Sequence, residues 1–349
     1  MVAKAVALWR KRDLRSSAAF LASIFGRLIL KFFFVVLSMA LSCLTAAAQS
    51  YPVKQVRIVV PLSPGGPVDV ITRALGVKLT EMWGQPVVID NRPGANEIVG
   101  AENVASSKGD GYTLFMATDA SISQNQYLYS KLPYDPINAF APVTRVAQAN
   151  MALFVPANFP ANNMKEFVAY AKQNPGKIAY GSTGIGNVTH LAMAWLENRT
   201  GIELNHVPYK GLAPVIQDML AGQVQAAFGA LSVLEPHIKA GKLKALAISG
   251  NERAKMLPNL PTITESGYEN IDANFNIALL TPRDTPKEVV NKIASDVRKI
   301  IREPAFREKY IDAYAFELVA SSPEDFGAYI VKDRIRQEQR IKISGAKLD

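Results

Sequence analysis

The chain has 349 residues, 49% hydrophobic and 20% charged, with a formal net charge of +9, three histidines and one cysteine. That apolar content excludes an intrinsically disordered chain, and a single cysteine excludes a disulfide-stapled scaffold. The length suits two lobes better than one core.

The chain opens on a basic stretch containing Arg10, Lys11, Arg12, Arg15, Arg27 and Lys31, followed by the apolar run Phe32–Leu44 and by Ala46-Ala47-Ala48. The run is short for a bilayer span and ends in the small residues a signal peptidase needs, which predicts a secretory signal peptide over residues 1–48, cleaved after Ala48. A retained anchor, suggested by the long basic region, and an acylated Cys43, preceded by Ala40 where Leu is usual, are the weaker readings. The leader holds seven Lys or Arg and one Asp, so its removal lowers the net charge from +9 to +3. The basic balance is then no argument for nucleic-acid binding, and none is expected. Cys43 leaves with the leader, so the mature chain has no thiol chemistry and rests on its core.

In chain order, the first strong element is the run of β-formers Val56-Arg57-Ile58-Val59-Val60. It passes through Pro61-Leu62-Ser63-Pro64-Gly65-Gly66 into a helix-period segment over Val70–Trp83. Gly65 and Gly66 are expected to take turns closed to other residues, and Pro67 suits the first helical position. Free N–H groups there, backed by the positive end of the helix dipole, make a seat for a carboxylate or phosphate. Ser63 adds a hydroxyl, and Asp69 either caps a backbone N–H or holds a bridging water. A branched side chain at Gly66 is expected to obstruct a ligand. Taken alone, the loop also fits an ordinary βα connection with a capping acid.

Strand Pro86–Asp90 and helix Ala95–Ser106 follow, then strand Tyr112–Ala117, the loop Thr118-Asp119-Ala120-Ser121 and a short helix toward Tyr129. Leu132–Pro142 is irregular, and Val143–Val155 is nearly continuous apolar strand material able to cross between lobes. Asn163-Met164-Lys165-Glu166 reads as a capping box for a helix ending at Gln173. Strand Lys177–Tyr180, the loop Gly181-Ser182-Thr183-Gly184-Ile185-Gly186-Asn187 and a helix over Val188–Asn198 repeat the opening logic. Two strand–loop–helix units facing one cleft suit a ligand held between lobes. Further βα units run from Glu203–Tyr209 to Lys244–Ser249. Asp272–Leu280 is the return strand, and helices over Pro286–Arg302 and Pro323–Ile341 end the chain. The charge run Lys332–Lys342 reads as a solvated helix face. This alternation predicts α/β layers with largely parallel sheets, residues 49–150 plus 272–349 forming lobe 1 and residues 151–271 forming lobe 2.

His190, His206 and His237 are widely spaced and lack carboxylate or cysteine neighbours at metal-ligand spacing, so no metal is expected. His190 fits a structural role, and Lys210 fits a solvated lysine better than a ligand partner. No Gly-x-Ser-x-Gly elbow occurs; a secreted α/β hydrolase stays a minor alternative because triads assemble in space. Gly184-Ile185-Gly186 imitates part of a dinucleotide fingerprint, but the third glycine position is Thr189, and secretion argues against nicotinamide cofactors. No cofactor is expected.

Several segments resemble one family in order along nearly the whole mature chain. They include Tyr51-Pro52, Pro64-Gly65-Gly66 with Asp69, Asn91-Arg92-Pro93-Gly94-Ala95, Asp110-Gly111-Tyr112-Thr113-Leu114, Leu132-Pro133-Tyr134-Asp135, Asn174-Pro175-Gly176-Lys177 and His206-Val207-Pro208-Tyr209-Lys210-Gly211. The family is that of the Bug-type periplasmic solute-binding receptors of tripartite tricarboxylate transporters. The resemblance implies a two-lobed Venus-flytrap fold, a periplasmic location, a small organic carboxylate as ligand, membrane transporter subunits as partners, a monomer and no catalysis. By position it assigns ligand binding to Ser63, Gly65, Gly66, Pro67 and Asp69, to Thr118, Asp119 and Ser121, and to Ser182, Thr183, Gly184, Gly186 and Asn187. A receptor reporting to a membrane sensor is the alternative that would share the same cleft. The chain departs from the family at Asn96-Glu97, where glycines are usual, and at Phe275-Asn276 and Arg283-Asp284. Asp119 adds an acid that reads equally as the partner of a ligand amine or hydroxyl and as a solvated loop residue.

Overall fold

A computed structural model describes residues 51–348 apart from Asn270, so the leader reading lies outside the described residues. Residues 51–53 are irregular, and from Lys54 onward the chain forms one unit. Its elements are β1 (Val56–Val60), α1 (Pro67–Trp83), β2 (Val87–Asn91), α2 (Ile98–Ala105) and β3 (Thr113–Ala117). A π-helical turn over Ala120–Gln124 then runs into α3 (Asn125–Leu128). The long strand β4 (Phe140–Pro156) follows, with α4 (Met164–Gln173), β5 (Ala179–Ser182), α5 (Val188–Thr200), β6 (Asn205–Pro208), α6 (Leu212–Leu220), β7 (Ala226–Ala230), α7 (Leu231–Lys239) and β8 (Leu243–Ile248). β9 (Asn274–Pro282), α8 (Lys287–Ile301), α9 (Pro304–Tyr310), β10 (Phe316–Leu318) and α10 (Pro323–Ser344) complete it.

The molecule is a two-lobed α/β fold in which β4 serves both lobes. Its residues Phe140 to Asn150 pair antiparallel with β9, and residues Met151 to Pro156 pair antiparallel with β7 and β8. On one side β1 lies between β2 and β3 in parallel, and β3 meets β9 antiparallel; on the other β5 lies between β6 and β7 in parallel. The expectation of largely parallel sheets is therefore corrected: both sheets are mixed. The chain crosses between lobes on β4 and returns on β9, and two neighbouring crossings in opposite senses pair antiparallel.

β4 shows why its sequence is so continuously apolar. Met151, Leu153 and Val155 enter one core with Phe167, Tyr180 and Trp195, while Ala152 and Phe154 enter another with Val215, Leu231 and Leu234. A strand covered on both faces has no side on which to alternate polar residues. The first lobe is centred on Val59, Phe115, Ala278, Leu280 and Phe326.

Local chemistry sets the helix starts. Pro67 occupies the first position of α1, and Gly84 (φ 65°) ends it in the left-handed conformation. At α4 the capping residues engage each other: Asn163 Oδ1 accepts from the Glu166 N–H at 2.9 Å, and the Glu166 carboxylate accepts in return from the Asn162 N–H and from Asn163 Nδ2, both at 2.7 Å. α2 begins three residues later than its apolar pattern predicts, because Ala95, Asn96 and Glu97 have φ of 45°, 50° and 74°. The solvated-face reading of α10 is also corrected. Asp333, Gln337 and Arg340 are buried. They recur at helical spacing on one side, where hydrogen bonds replace water, whereas Val331 and Ile335 are exposed. Among the described residues no helix is long and apolar enough to cross a membrane.

Candidate functional site

The β1–α1 loop is organised from within. Asp69, buried in the first turn of α1, accepts on Oδ2 from the Gly65 N–H at 2.9 Å and from Arg73 Nε at 2.8 Å. Its Oδ1 accepts from Asn91 Nδ2 at 2.9 Å. Burial pulls this carboxyl's pKa upward, but the hydrogen bonds from Arg73, Gly65 and Asn91 outweigh it and hold the group below the usual carboxylate range. Gly65 (φ 87°) takes a conformation that other residues adopt only at a cost. Gly66 does not: at φ −74° and ψ 165° it is open to any residue, and a Cβ there meets only Ser63 O at 3.9 Å. The expectation of two closed turns is thus corrected to one. The first intrahelical bond runs from the Val70 N–H to Gly66 O at 3.0 Å. The N–H groups of Val68 and Asp69, which precede Val70 in the same turn, have no intrahelical acceptor to reach.

The β5–α5 loop is built differently. Gly184 (φ 138°) and Gly186 (φ 73°) both need glycine, and a Cβ at Gly186 would stand 2.9 Å from Leu128 Cδ2. Thr183 donates its N–H to Thr189 Oγ1 at 2.8 Å, and its hydroxyl donates to Asn187 Oδ1 at 2.7 Å. His190 Nδ1 accepts from the Gly186 N–H at 3.1 Å, which fixes it as a structural histidine; burial, with His206 adding to it, pushes its pKa down to about 4. Ser182 Oγ lies 2.6 Å from His206 Nε2. Among the described residues no carboxylate hydrogen-bonds that ring, which is stacked between Tyr180 and His190. A serine–histidine pair without an orienting acid lacks the third part of a triad.

The third wall comes from the β2–α2 turn and the end of β3. Glu97 is buried and accepts from the Thr118 N–H at 3.2 Å, the Thr118 hydroxyl and Ser121 Oγ at 2.8 Å. Burial raises its pKa, with the Thr118 and Ser121 hydrogen bonds pulling the other way. Asn96 and Asn125 brace the turn through Asn96 Nδ2 to Asn125 Oδ1 at 2.7 Å and Asn125 Nδ2 to Asn96 O at 2.8 Å. Such non-glycine left-handed residues cost about 1–3 kcal/mol each and persist only where surroundings fix them. Asp119 points away, accepting from the Asn276 N–H at 2.9 Å and from Asn276 Nδ2.

These loops meet at a cavity of about 460 Å³ between the lobes. Of the residues assigned from sequence, Ser63, Pro67, Thr118, Thr183 and Asn187 line it. Gly65, Gly66, Asp69, Asp119, Ser121, Ser182, Gly184 and Gly186 stand outside the lining; the hydrogen bonds of Asp69, Ser121 and Ser182 shape the loops that form it. Lys210 is exposed and also outside. Sequence reasoning missed Pro93 to Glu97, although the Asn96-Glu97 departure from glycine was a usable signal. It also missed Met151 and Phe275 on the crossing strands and Leu212, Gly229, Ala230 and Val233 in the second lobe, which no local motif marks. Among the described residues no group of three His, Cys, Asp or Glu side chains is arranged to hold a metal.

Two α/β lobes joined by shared crossing strands, with a cavity walled by loops at two helix N-termini, define a solute-binding protein of the periplasmic binding fold. A family model for the tripartite tricarboxylate transporter family receptor matches residues 71–345. The chain belongs to that family. Protein BugT of Bordetella pertussis is 30% identical over 303 residues, covering 86% of this chain and 93% of that one. The R. palustris Rpa4515 structure with adipate superposes with a TM-score of 0.75 at 31% identity, covering 86% of this chain and all of that one. MatC (Rpa3494) from Rhodopseudomonas palustris with bound malate gives a TM-score of 0.70 at 26% identity, covering 83% of this chain and all of that one.

Proposed function

We propose that this protein captures a small organic carboxylate in the inter-lobe cavity and delivers it to the membrane subunits of a tripartite transporter. The observation that carries the reading is the convergence of two helix starts, Ser63 and Pro67 at α1 and Thr183 and Asn187 at α5, on one cavity. Free first-turn N–H groups and the positive dipole ends favour an anion there, and hydroxyls add donors without a fixed positive side chain. The adipate and malate of the two structural neighbours support the same ligand chemistry. In this reading Ser63, Pro67, Thr118, Thr183 and Asn187 touch the ligand or its waters, and the remaining assigned residues hold the loops. The signal peptide is removed after Ala48, the mature chain acts as a periplasmic monomer, and residues 49–150 plus 272–349 close against residues 151–271.

The test is native mass spectrometry of purified mature protein with a thermal-shift screen of organic acids. A co-purified or stabilising acid supports the reading, and at a hundredfold excess over Kd the expected stabilisation is about 2.7 kcal/mol. Ala230→Trp, which fills the cavity, should abolish that shift. Stabilisation that survives in this variant would move the site elsewhere.

A further inference from the structure

Glu97 carries a consequence for ligand choice that rests on the receptor reading above. Among the described residues lining the cavity it is the single one with an ionisable side chain, with no Lys, Arg or His beside it there. Its carboxyl is almost wholly buried, at 4% exposure, and its partners are neutral: the Thr118 N–H, the Thr118 hydroxyl and the Ser121 hydroxyl. The Ser121 N–H adds a further neutral donor, so the acceptor positions of the carboxylate are met without any positive partner. A buried carboxylate so placed has hydrogen bonds but no counter-charge.

The backbone shows that this acid is held there against local preference. Ala95, Asn96 and Glu97 are consecutive non-glycine residues with positive φ, and the Asn96–Asn125 pair of hydrogen bonds locks the turn. A glycine would adopt the same turn at less cost and leave the wall uncharged. A second carboxylate on a ligand would meet like charge in a medium of low dielectric, whereas an ammonium would supply the missing counter-charge.

We infer that Glu97 is a specificity-determining residue that selects an organic acid bearing an ammonium group, the carboxylate seated at the helix starts and the ammonium at Glu97, and that it disfavours dicarboxylates. Because the empty site holds the Glu97 proton more tightly than water does, arrival of the ammonium also expels protons from the fraction of sites still protonated, increasingly so toward acid pH.

The test is calorimetric titration of the mature protein with succinate, glutarate and adipate, each beside its mono-amide and the ω-amino acid of matching length, in buffers of different ionisation enthalpy. An ω-amino acid should bind at least about tenfold tighter than its matching dicarboxylate, with proton release that grows toward acid pH. Glu97→Gln should remove that preference and the proton release while the protein remains folded by circular dichroism. A dicarboxylate that binds the native protein as tightly as the amino acid, or a preference unchanged in Glu97→Gln, overturns the inference. If dicarboxylate binding of that kind is lost in Ala230→Trp, the receptor reading stands and the Glu97 inference alone falls. Failure of every probe to bind overturns both.

Discussion

Asp119 illustrates how one carboxyl can be placed by sequence and reassigned by its neighbours. Its carboxyl is pushed up to about 7, first by burial and then by the nearby Asp333 charge, against the pull of Arg336 and the Asn276 hydrogen bonds. An acid whose folded pKa lies above its unfolded value of 3.8 is protonated in the folded state and ionised in the unfolded state between the two values. Stability from this group therefore falls as pH rises from about 4 to about 7 and is constant above. His190, held neutral with a pKa pushed down to about 4, tilts stability the other way over part of that range, so the comparison must be against a variant. Urea midpoints should decline with rising pH more steeply in the native protein than in Asp119→Asn, by up to about 4 kcal/mol across the window. Parallel profiles would show that Asp119 is ionised throughout. Asp119 was legible as an acid near the site because it follows β3; that it turns toward Asn276 depends on a strand 157 residues away and was not.

Among the elements, the α1 entry and α10 show opposite relations between sequence and role. Gly65 at φ 87° donates its N–H to Asp69, so Gly65→Ala should lose about 1–2 kcal/mol in chemical denaturation. Gly66→Ala, at an ordinary φ with open space around it, should stay within about 0.5 kcal/mol. Equal losses would mean that the loop adopts another turn. In α10 the alternation of charges resembled a solvated face, yet Asp333 receives Ser123 Oγ, Arg336 and Gln337, and Arg336 Nη1 reaches Asp272 at 2.7 Å. Asp333→Ala removes the buried acceptor these donors share and should cost about 3–5 kcal/mol, whereas Lys332→Ala, one residue away and exposed, should fall within about 0.5 kcal/mol. Thermal or urea unfolding of the two variants checks the contrast. Helical spacing was readable in the sequence, but not which stripe meets α5 and β9, since charged and polar residues occupy both.

At the scale of the whole molecule, the proposed closure would have to flex the chain at the crossing strands β4 and β9. A polar cluster sits across them: Arg145 stacks on Tyr329 with its guanidinium 3.6 Å from the ring centre, and its Nη2 donates to Asn276 Oδ1 at 2.6 Å. Asn276 Nδ2 in turn donates to the Tyr329 hydroxyl at 2.6 Å. A ligand that binds better between closed lobes shifts the population toward closure. Small-angle scattering of the mature protein should therefore give a smaller radius of gyration with ligand than without, and Ala230→Trp should show no ligand-dependent change. An unchanged radius in the native protein would mean that the lobes are already closed when empty.

Local rules carried the sequence reading wherever neighbours in the chain decide the outcome. Pro67 opening α1, the Asn163–Glu166 capping pair, the left-handed glycines of the β5–α5 loop and the apolar β4 run all depend on residues within a turn or a strand of one another. The βα alternation and the order of family-like segments fixed the two-lobed α/β class in the same way. Only the tertiary structure decided that the sheets are mixed, that Asp69 accepts from Gly65, Arg73 and Asn91 and Asp119 from Asn276, that α10 buries a polar stripe, and that Glu97 stands in the cavity wall. Each of those outcomes depends on which distant donor meets a carboxylate and whether water is excluded there, and sequence separation does not encode either.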